Sequence, residues 1–464
     1  MLSAPGSSRL WQYVQINIEP PSSLILLVTI VISPLLALMV RLHAISSPES
    51  MLISHQNNQV ASLRNANIRV ETINSTTPQV DKKRIIADLQ CGHPLTRLLY
   101  VTPEFCQGDN FRKILRVIHS QGELARIAVD EAHCVSEWGH DFRPSFQQLS
   151  FFKKEFPDVP VICLTATATA RVRDDIITTL ALDPKKLRMF RMSTSRPNLH
   201  YEVRFKSDAE DHYDDFIKFL KSIHARRAAN PERASQLASQ NQRSDNVPGI
   251  IYTLFRKDCE SLAARLRSDG IGAKPYHAGL SVSDRADALS GWVANKAGYD
   301  VVVATTAFGM GIDKENVRFV VHWQIPKSFE GFYQEAGRAG RDGKASICIL
   351  YYGREDRDRA AHSLSRDIAR QPKAGAGLQA QQQQMTHRAK SLEALVGYCE
   401  TTSKCRHKLI AKYFADEETP ECDFACDWCK DAEALVRRKE GGLASEEWCS
   451  TQREAGRYDI DEYD

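Results

Sequence analysis

The sequence predicts an α/β protein in which two parallel-sheet domains are followed by a small helical unit built on cysteines. Short runs of Val, Ile, Leu and Ala recur between stretches of helical period from residue 28 to residue 351. They lack the alternation of a half-solvated strand, so helices must cover both faces of the sheet. One such run, Ile127–Val129, ends on the adjacent carboxylates Asp130 and Glu131. Near the other end of the chain, Cys405, Cys422, Cys426 and Cys429 are separated by sixteen, three and two residues.

A chain of 464 residues is too long for one ordinary core, and a hydrophobic content of 42% suffices to build two or three. The net charge of +3 is too small for a histone-like binder, so any nucleic-acid contact must come from a local groove. Twelve cysteines without a secretory signal peptide suit a reducing compartment. LILLVTIVISPLLALMV, residues 24–40, has near-membrane hydropathy, but Ser33 and Pro34 interrupt it as they would end a strand. It is read as a buried strand entering a helix, and no membrane association is expected.

The elements follow in order. Strands are expected near 28–33, 68–73, 97–102, 124–129 and 160–165, alternating with helices as one parallel-sheet domain. SRPNLHYEV, 195–203, crosses to a second set near 249–253, 272–276, 300–304, 317–322 and 346–351. Residues 225–247, rich in Arg, Asn, Gln, Ser and Ala without an apolar period, read as a solvated insertion or linker. QPKAGAGLQAQQQQ, 371–384, reads as a low-complexity hinge or a frayed helix, and 433–464 as a disordered, mostly acidic tail. Trp292 and Trp323 are assigned to core or surface, without a functional role.

The chemistry lies at the strand ends. Asp130 and Glu131 emerge where open α/β sheets bind ligands; one carboxylate can hold Mg²⁺ and the next can orient the water that attacks a γ-phosphate. Thr165 and Thr167 in LTATATA end another strand with hydroxyls that can bond to the acid motif and to the next domain. In VVVATTAFGMGID, Gly309 and Gly311 let the backbone approach a phosphate or sugar, and Asp313 can bond a ribose or an arginine. QEAGRAGRDG places Arg338 and Arg341 three apart, on one face if helical, with forks suited to a γ-phosphate. Trp138, His140, Phe142 and Arg143 interleave rings and cations just after the acids, and bases can stack on such rings. Cys405, Cys422, Cys426 and Cys429 fit a closed tetrahedral zinc site, the last three in a short polar loop with nowhere to be buried; Cys399, on the preceding helix, is left out.

Together and in this order, from about Val28 to about Lys430, these strings resemble the RecQ family of superfamily 2 DNA helicases. DEAH, Asp130 to His133, is similar to its motif II, and Ser136 to Pro144 to its aromatic-rich loop. Thr165 to Thr167 resemble motif III, Ala304 to Asp313 motif V, and Gln334 to Arg341 motif VI; 28–39 and 98–104 resemble motifs Ia and Ib. The resemblance implies two RecA-like domains with ATP between them, a zinc subdomain after the motor, and use of ATP, Mg²⁺ and Zn²⁺. It makes Asp130, Glu131, Arg338 and Arg341 catalytic, and Thr165, Thr167, Gly309, Gly311, Asp313 and Gln334 nucleotide-binding. It further implies 3′-to-5′ movement on single-stranded and branched DNA, in recombination and repair, in the nucleus. The boundaries are 1–27 for an atypical N-terminus, 28–198 and 199–356 for the two RecA-like domains, 357–432 for the zinc subdomain and 433–464 for the tail.

Two departures stand out. The family's glutamine-containing adenine motif and its Walker A loop, G-x-G-K-[ST], are missing upstream of residue 28, so the first domain is expected to be incomplete, with exposed apolar sheet edges. Residues 41–54 also interrupt motif Ia. A truncated or imperfectly spliced gene model and a degenerate paralogue both fit. The rival reading from another class is a zinc-stabilised, DNA-binding remnant without ATPase; an RNA helicase is a third.

Overall fold

The computed structural model describes residues 13–14, 27–33, 63–64, 67–74, 77–136, 143–206, 211–229, 231–239, 243, 245–306, 308, 314–369, 378–423 and 425–443. Two compact units divide between Thr194 and Ser195.

In the unit up to Thr194, β1 (Tyr13–Val14), β2 (Val28–Ile32), β3 (Val70–Ile73), β4 (Leu98–Val101), β5 (Leu124–Val129) and β6 (Val161–Leu164) form one sheet in the order β1-β6-β5-β2-β4-β3. β2 to β6 are parallel, and β1 pairs antiparallel to β6 through Tyr13↔Leu164 and Val14↔Cys163. The bare apolar edge expected beside β6 is therefore covered, and Val161 and Cys163 are buried. Of the near-membrane segment, the described part is β2, which lies between β4 and β5 and is paired to both. Among the described residues, no helix is long and apolar enough to cross a membrane.

Helices α1 (Gln79–Leu89), α2 (Asp109–Ser120) and α3 (Ala170–Thr179) belong to this unit. α2 forms because Phe111, Ile114, Leu115 and Ile118 fall on one stripe, which is buried in the core, while Asp109 complements the dipole of its first turn. α3 starts where the Thr169 hydroxyl accepts from the Val172 N–H.

From Ser195 onward a second sheet, entirely parallel, holds β7 (Leu199–Phe205), β8 (Gly249–Tyr252), β9 (Ala273–Tyr276), β10 (Val301–Ala304), β11 (Phe319–His322) and β12 (Ser346–Tyr352) in the order β7-β12-β11-β8-β10-β9. β8, β10 and β11 are buried at every position, as their apolar runs require, and His322 at the end of β11 is satisfied there by Glu335 at 2.9 Å. Gly249 is obligatory, because a Cβ there would lie 2.0 Å from the Phe319 ring. Trp292 is fully buried, and Trp323 packs against Phe216 and Tyr351.

The helices of this unit are α4 (Tyr213–Ala228), α5 (Pro231–Ser239), α6 (Arg256–Ser268), α7 (Val282–Val293), α8 (Phe329–Ala336), α9 (Arg354–Ala369), α10 (Leu378–Glu400), α11 (Arg406–Tyr413), α12 (Asp427–Lys430) and α13 (Ala432–Leu443). Three expectations change here. The stretch read as a solvated insertion continues α4 to Ala228 and then forms α5, which buries Leu237. Of the two readings of the glutamine run, hinge and frayed helix, the helix holds over 378–384 and the hinge falls, because this stretch begins the 23-residue α10, whose far half buries Leu392 and Leu395. The tail does not begin at 433: α13 buries Leu435 and Leu443, two turns apart on one face, and lies on β7. Residues 371–377 and 444–464 lie outside the described residues.

Candidate active site and metal centre

In the first unit the acidic motif sits at the carboxyl end of β5. The Asp130 N–H donates to the Ile32 carbonyl at 2.8 Å, extending the sheet by one bond and fixing the carboxylate beside Ser33. Its Oδ1 accepts the Glu131 N–H at 3.0 Å and its Oδ2 the Ser33 hydroxyl at 3.5 Å. Burial pushes the carboxyl up to about 6, against the opposing pull of those two donors. A dication at this oxygen would reverse that shift.

Glu131 takes a left-handed backbone, φ 50°, which turns the chain from the strand into a short 3₁₀ turn over Ala132–Val135. Its Oε2 lies 3.3 Å from His133 Nδ1, and that same nitrogen lies 3.0 Å from the Thr165 hydroxyl. Thr165 Oγ1 also accepts the Thr167 N–H at 3.3 Å. The expected bond between acid motif and hydroxyl strand is thus made by Thr165 through His133. The Thr167 hydroxyl is buried and has no hydrogen-bond partner among the described residues.

Beyond the turn, Ser136 donates to Asp175 at 2.6 Å, and the Arg143 N–H donates to the Cys134 carbonyl at 3.0 Å. Arg143 is buried, so it sits inside the unit and not on an open stacking face as the sequence reading placed it. Trp138, His140 and Phe142 lie outside the described residues.

The second unit carries the remaining phosphate-site candidates. Gly309, Gly311 and Asp313 lie outside the described residues, but Phe308 just before them is buried, and its carbonyl accepts the Tyr252 hydroxyl at 2.8 Å. Just after them, Lys314 donates to Asn295 Oδ1 at 2.7 Å and to the Val293 carbonyl at 3.1 Å, and burial lowers its pKa to about 8.

Gln334 is on α8, which starts where the Ser328 hydroxyl accepts the Gly331 N–H at 3.0 Å. Arg338 and Arg341 are not on a helix: α8 ends at Ala336 and both arginines lie in the turns that follow, because the chain reverses through Gly340 at φ +53°. Arg338 is 4% exposed. Sequence reasoning missed the brace on this turn. Arg196 donates to the carbonyls of Gly337, Ala339 and Gly340 at 3.3, 3.1 and 2.9 Å, and Asn198 to those of Gly340 and Lys344 at 2.8 and 3.0 Å. The signal was the polar pair Arg196 and Asn198 flanking Pro197, in a stretch treated only as a crossing.

The four cysteine sulfurs lie within 4.8 Å of one another, Cys426 and Cys405 at 3.9 Å. Tetrahedral zinc with bonds of about 2.3 Å would require about 3.8 Å between sulfurs. Cys399 is not in the group. Burial pushes the Cys422 thiol up to about 12, while the Cys405 thiol, and then burial, raise that of Cys426. Four thiols in such proximity, three of them buried, fit a dication that binds them as thiolates.

The loop was expected to have nowhere to bury its cysteines, yet Cys422 and Cys426 are buried. Cys426 bridges in parallel to Tyr201 of β7, whose N–H donates to the Ala425 carbonyl at 3.1 Å, so the knuckle adds to the outermost strand of the second sheet. Beneath it Arg406 and Asp427 form a fully buried pair, Nε to Oδ1 at 2.8 Å and the second nitrogen to Oδ2 at 3.0 Å. Asp427 also accepts the N–H groups of Val203 at 2.9 Å and Trp428 at 2.7 Å. Each member of the pair directly follows a ligand cysteine, the trace by which the sequence could have disclosed it.

The sequence matches the DEAD/DEAH box helicase family over residues 28–176, the helicase conserved C-terminal domain over 230–343 and the RecQ zinc-binding family over 354–430. It is 38% identical over 427 residues to the ATP-dependent DNA helicase Q5 of Mus musculus, covering 91% of this chain and 39% of that protein. The ATP-dependent DNA helicase hus2/rqh1 of Schizosaccharomyces pombe is 35% identical over 414 residues, 89% of this chain and 27% of the relative. The ATP-dependent DNA helicase Q1 of Pongo abelii is 37% identical over 390 residues, 83% of this chain and 54% of the relative. The chain thus spans between about a quarter and about a half of the length of these curated relatives.

Proposed function

We propose that this chain, which belongs to the RecQ family of superfamily 2 DNA helicases, carries that family's ATP-driven 3′-to-5′ DNA-unwinding machinery and serves recombination and repair in the nucleus. The observation that carries the reading is the constellation of Asp130, Glu131, His133 and Thr165 at one strand end, in a chain that also gathers four cysteine sulfurs. Asp130 would hold Mg²⁺, which neutralises phosphate charge, and Glu131 would orient and deprotonate the attacking water. Thr165 keeps Glu131 in place through His133, and Thr167 bonds Thr165 through its N–H. Gly309, Gly311, Asp313 and Gln334 contact the nucleotide, and Arg338 and Arg341 face its γ-phosphate. Trp138, His140 and Phe142 engage single-stranded or branched DNA, with the buried Arg143 closing the base of their loop through its N–H bond to the Cys134 carbonyl. The zinc subdomain, 357–432, follows RecA-like domains at 28–198 and 199–356.

A second reading is favoured by one observation: the sequence contains no G-x-G-K-[ST] loop. Without such a cradle nothing fixes the β- and γ-phosphates opposite Asp130. The 464-residue polypeptide would then be a zinc-stabilised DNA-binding protein without turnover. ATPase assays with single-stranded DNA separate the two. The expected result is background hydrolysis by this polypeptide, and DNA-stimulated hydrolysis once a phosphate loop segment is added and residues 41–54 are removed. Glu131→Gln should abolish the recovered activity; recovered turnover that survives it would refute the assignment of Glu131.

A further inference from the structure

The second unit contains a buried acid that the proposed reaction does not use. Glu330, on the first turn of α8, is 2% exposed. Its Oε2 accepts the Ser391 hydroxyl of α10 at 2.5 Å and its Oε1 accepts the Tyr413 hydroxyl of α11 at 2.6 Å. The Ser391 hydroxyl in turn accepts the Phe329 N–H at 2.9 Å, and the Phe329 and Tyr413 rings stack with centroids 4.3 Å apart and planes 14° from parallel. A surface helix needs no such anchor, since apolar packing alone would hold it.

The anchor lies on a continuous line between two sites. Cys405 is the N-cap of α11 and Tyr413 is its last residue, so this eight-residue helix, about 12 Å long, runs from the cysteine cluster to Glu330. α8 then runs from Glu330 to its C-cap, Gly337, the residue before Arg338. At the cluster end, Arg406 in the first turn of α11 is fixed by Asp427, which stands between Cys426 and Cys429. Short helices transmit displacement along their axes because their backbone bonds do not stretch, and two hydroxyls on one carboxylate fix both distance and direction.

We infer that Glu330 is a positioning residue that ties metal occupancy of the cysteine cluster to the placement of Arg338 and Arg341. This rests on the zinc and arginine assignments made above. Loss of metal frees the N-cap of α11, Tyr413 leaves the carboxylate, and α8 loses the anchor that sets where its arginine turn begins. Linkage works both ways: whatever loosens Glu330 must also weaken the metal's hold.

The test uses hydrogen exchange and metal release on the whole chain, without nucleotide or DNA, so its outcome is independent of whether the chain hydrolyses ATP. Stripping zinc from the wild type should speed exchange of the 329–341 amides by about fivefold or more, while β8 and β10 amides keep their protection. Glu330→Gln should show that faster exchange with zinc still bound, should change little further on stripping, and should release zinc to a chelator about fivefold faster or more. Tyr413→Phe, which keeps the ring stack and removes one donor, should move both readouts the same way by less. A merely structural side chain would give independent, additive effects. Unchanged exchange over 329–341 when zinc is stripped, or zinc release within about twofold of wild type in both variants, would overturn the inference. Well-folded wild type that contains no zinc would overturn it together with the metal assignment.

Discussion

Asp427→Asn isolates the charge of one buried carboxylate at nearly constant shape. The wild-type carboxylate faces Arg406 through two bonds of 2.8 and 3.0 Å, with both side chains at most 1% exposed. The amide keeps one acceptor oxygen but turns an NH₂ toward the guanidinium, so a full positive charge stays buried without a counter-charge. Breaking a buried pair from one side costs about 3–5 kcal/mol. Because 1 kcal/mol moves the melting temperature of a domain this size by about 2–4 °C, the drop should be about 6–20 °C. The Val203 and Trp428 N–H groups donate to different oxygens of Asp427, so the single amide oxygen can keep only one of them, and the upper part of that range is the better expectation. The assay is thermal melting of zinc-loaded protein followed by tryptophan fluorescence, in which Trp428 reports locally. The double variant Arg406→Met/Asp427→Leu should recover much of the loss, because it removes both charges. If Asp427→Asn melted within about 2 °C of wild type with zinc retained, the pair would not be holding the knuckle to β7, and the reasoning would fail.

Three further outcomes are expected. Purified protein should contain one zinc per chain, and Cys426→Ser should lower both metal content and solubility, because structural zinc supplies about 10–16 kcal/mol in small peptides; full occupancy in that variant would contradict the site. In metal-free protein Asp130 has a carboxyl pKa of about 6, above its unfolded value, so its stabilising contribution is present below about pH 4 and is lost as pH rises through 6. Urea titrations should show wild type losing up to about 3 kcal/mol relative to Asp130→Asn between pH 4 and 7, and parallel curves would refute the burial argument. Gly340→Ala would force an L-residue to φ +53° with its Cβ 2.6 Å from Asn198 Nδ2 and 2.8 Å from the Lys344 carbonyl. A loss of about 1–3 kcal/mol in a denaturant titration is expected, and a neutral result would mean that the arginine turn is not braced as described.

The strands were legible because burial on both faces writes an unmistakable run: Val301–Ala304 and Leu124–Val129 fall within a residue of their expected positions. β7 was not, since His200, Glu202 and Arg204 alternate with buried residues on a strand at the sheet's margin, and that pattern was read as a crossing. α5 and the end of α13 were hidden for a related reason, because a single buried leucine among polar residues gives too weak a period to register. Within the sites, proximity in sequence carried the acid pair and the cysteines. The partners that hold them come from far along the chain: Ser33 lies 97 residues from Asp130, and Arg196 lies 144 from Gly340. Their single polar residues carry no pattern until the fold brings them together. Arg338 and Arg341 show the converse, a helical spacing in sequence that a left-handed glycine converts to a turn.

The bridge between Tyr201 and Cys426 has a consequence for the life of the protein in a cell. β7 is the last strand of its sheet, and the cysteine knuckle occupies the side that would otherwise offer unpaired backbone to another chain. The metal therefore acts as a guard on a margin prone to templated pairing as well as a clasp on a loop. Once zinc is withdrawn, neighbouring molecules compete with the knuckle for the same row of amides. Recapture of the ion then races against self-association, a contest that depends on how crowded the chains are.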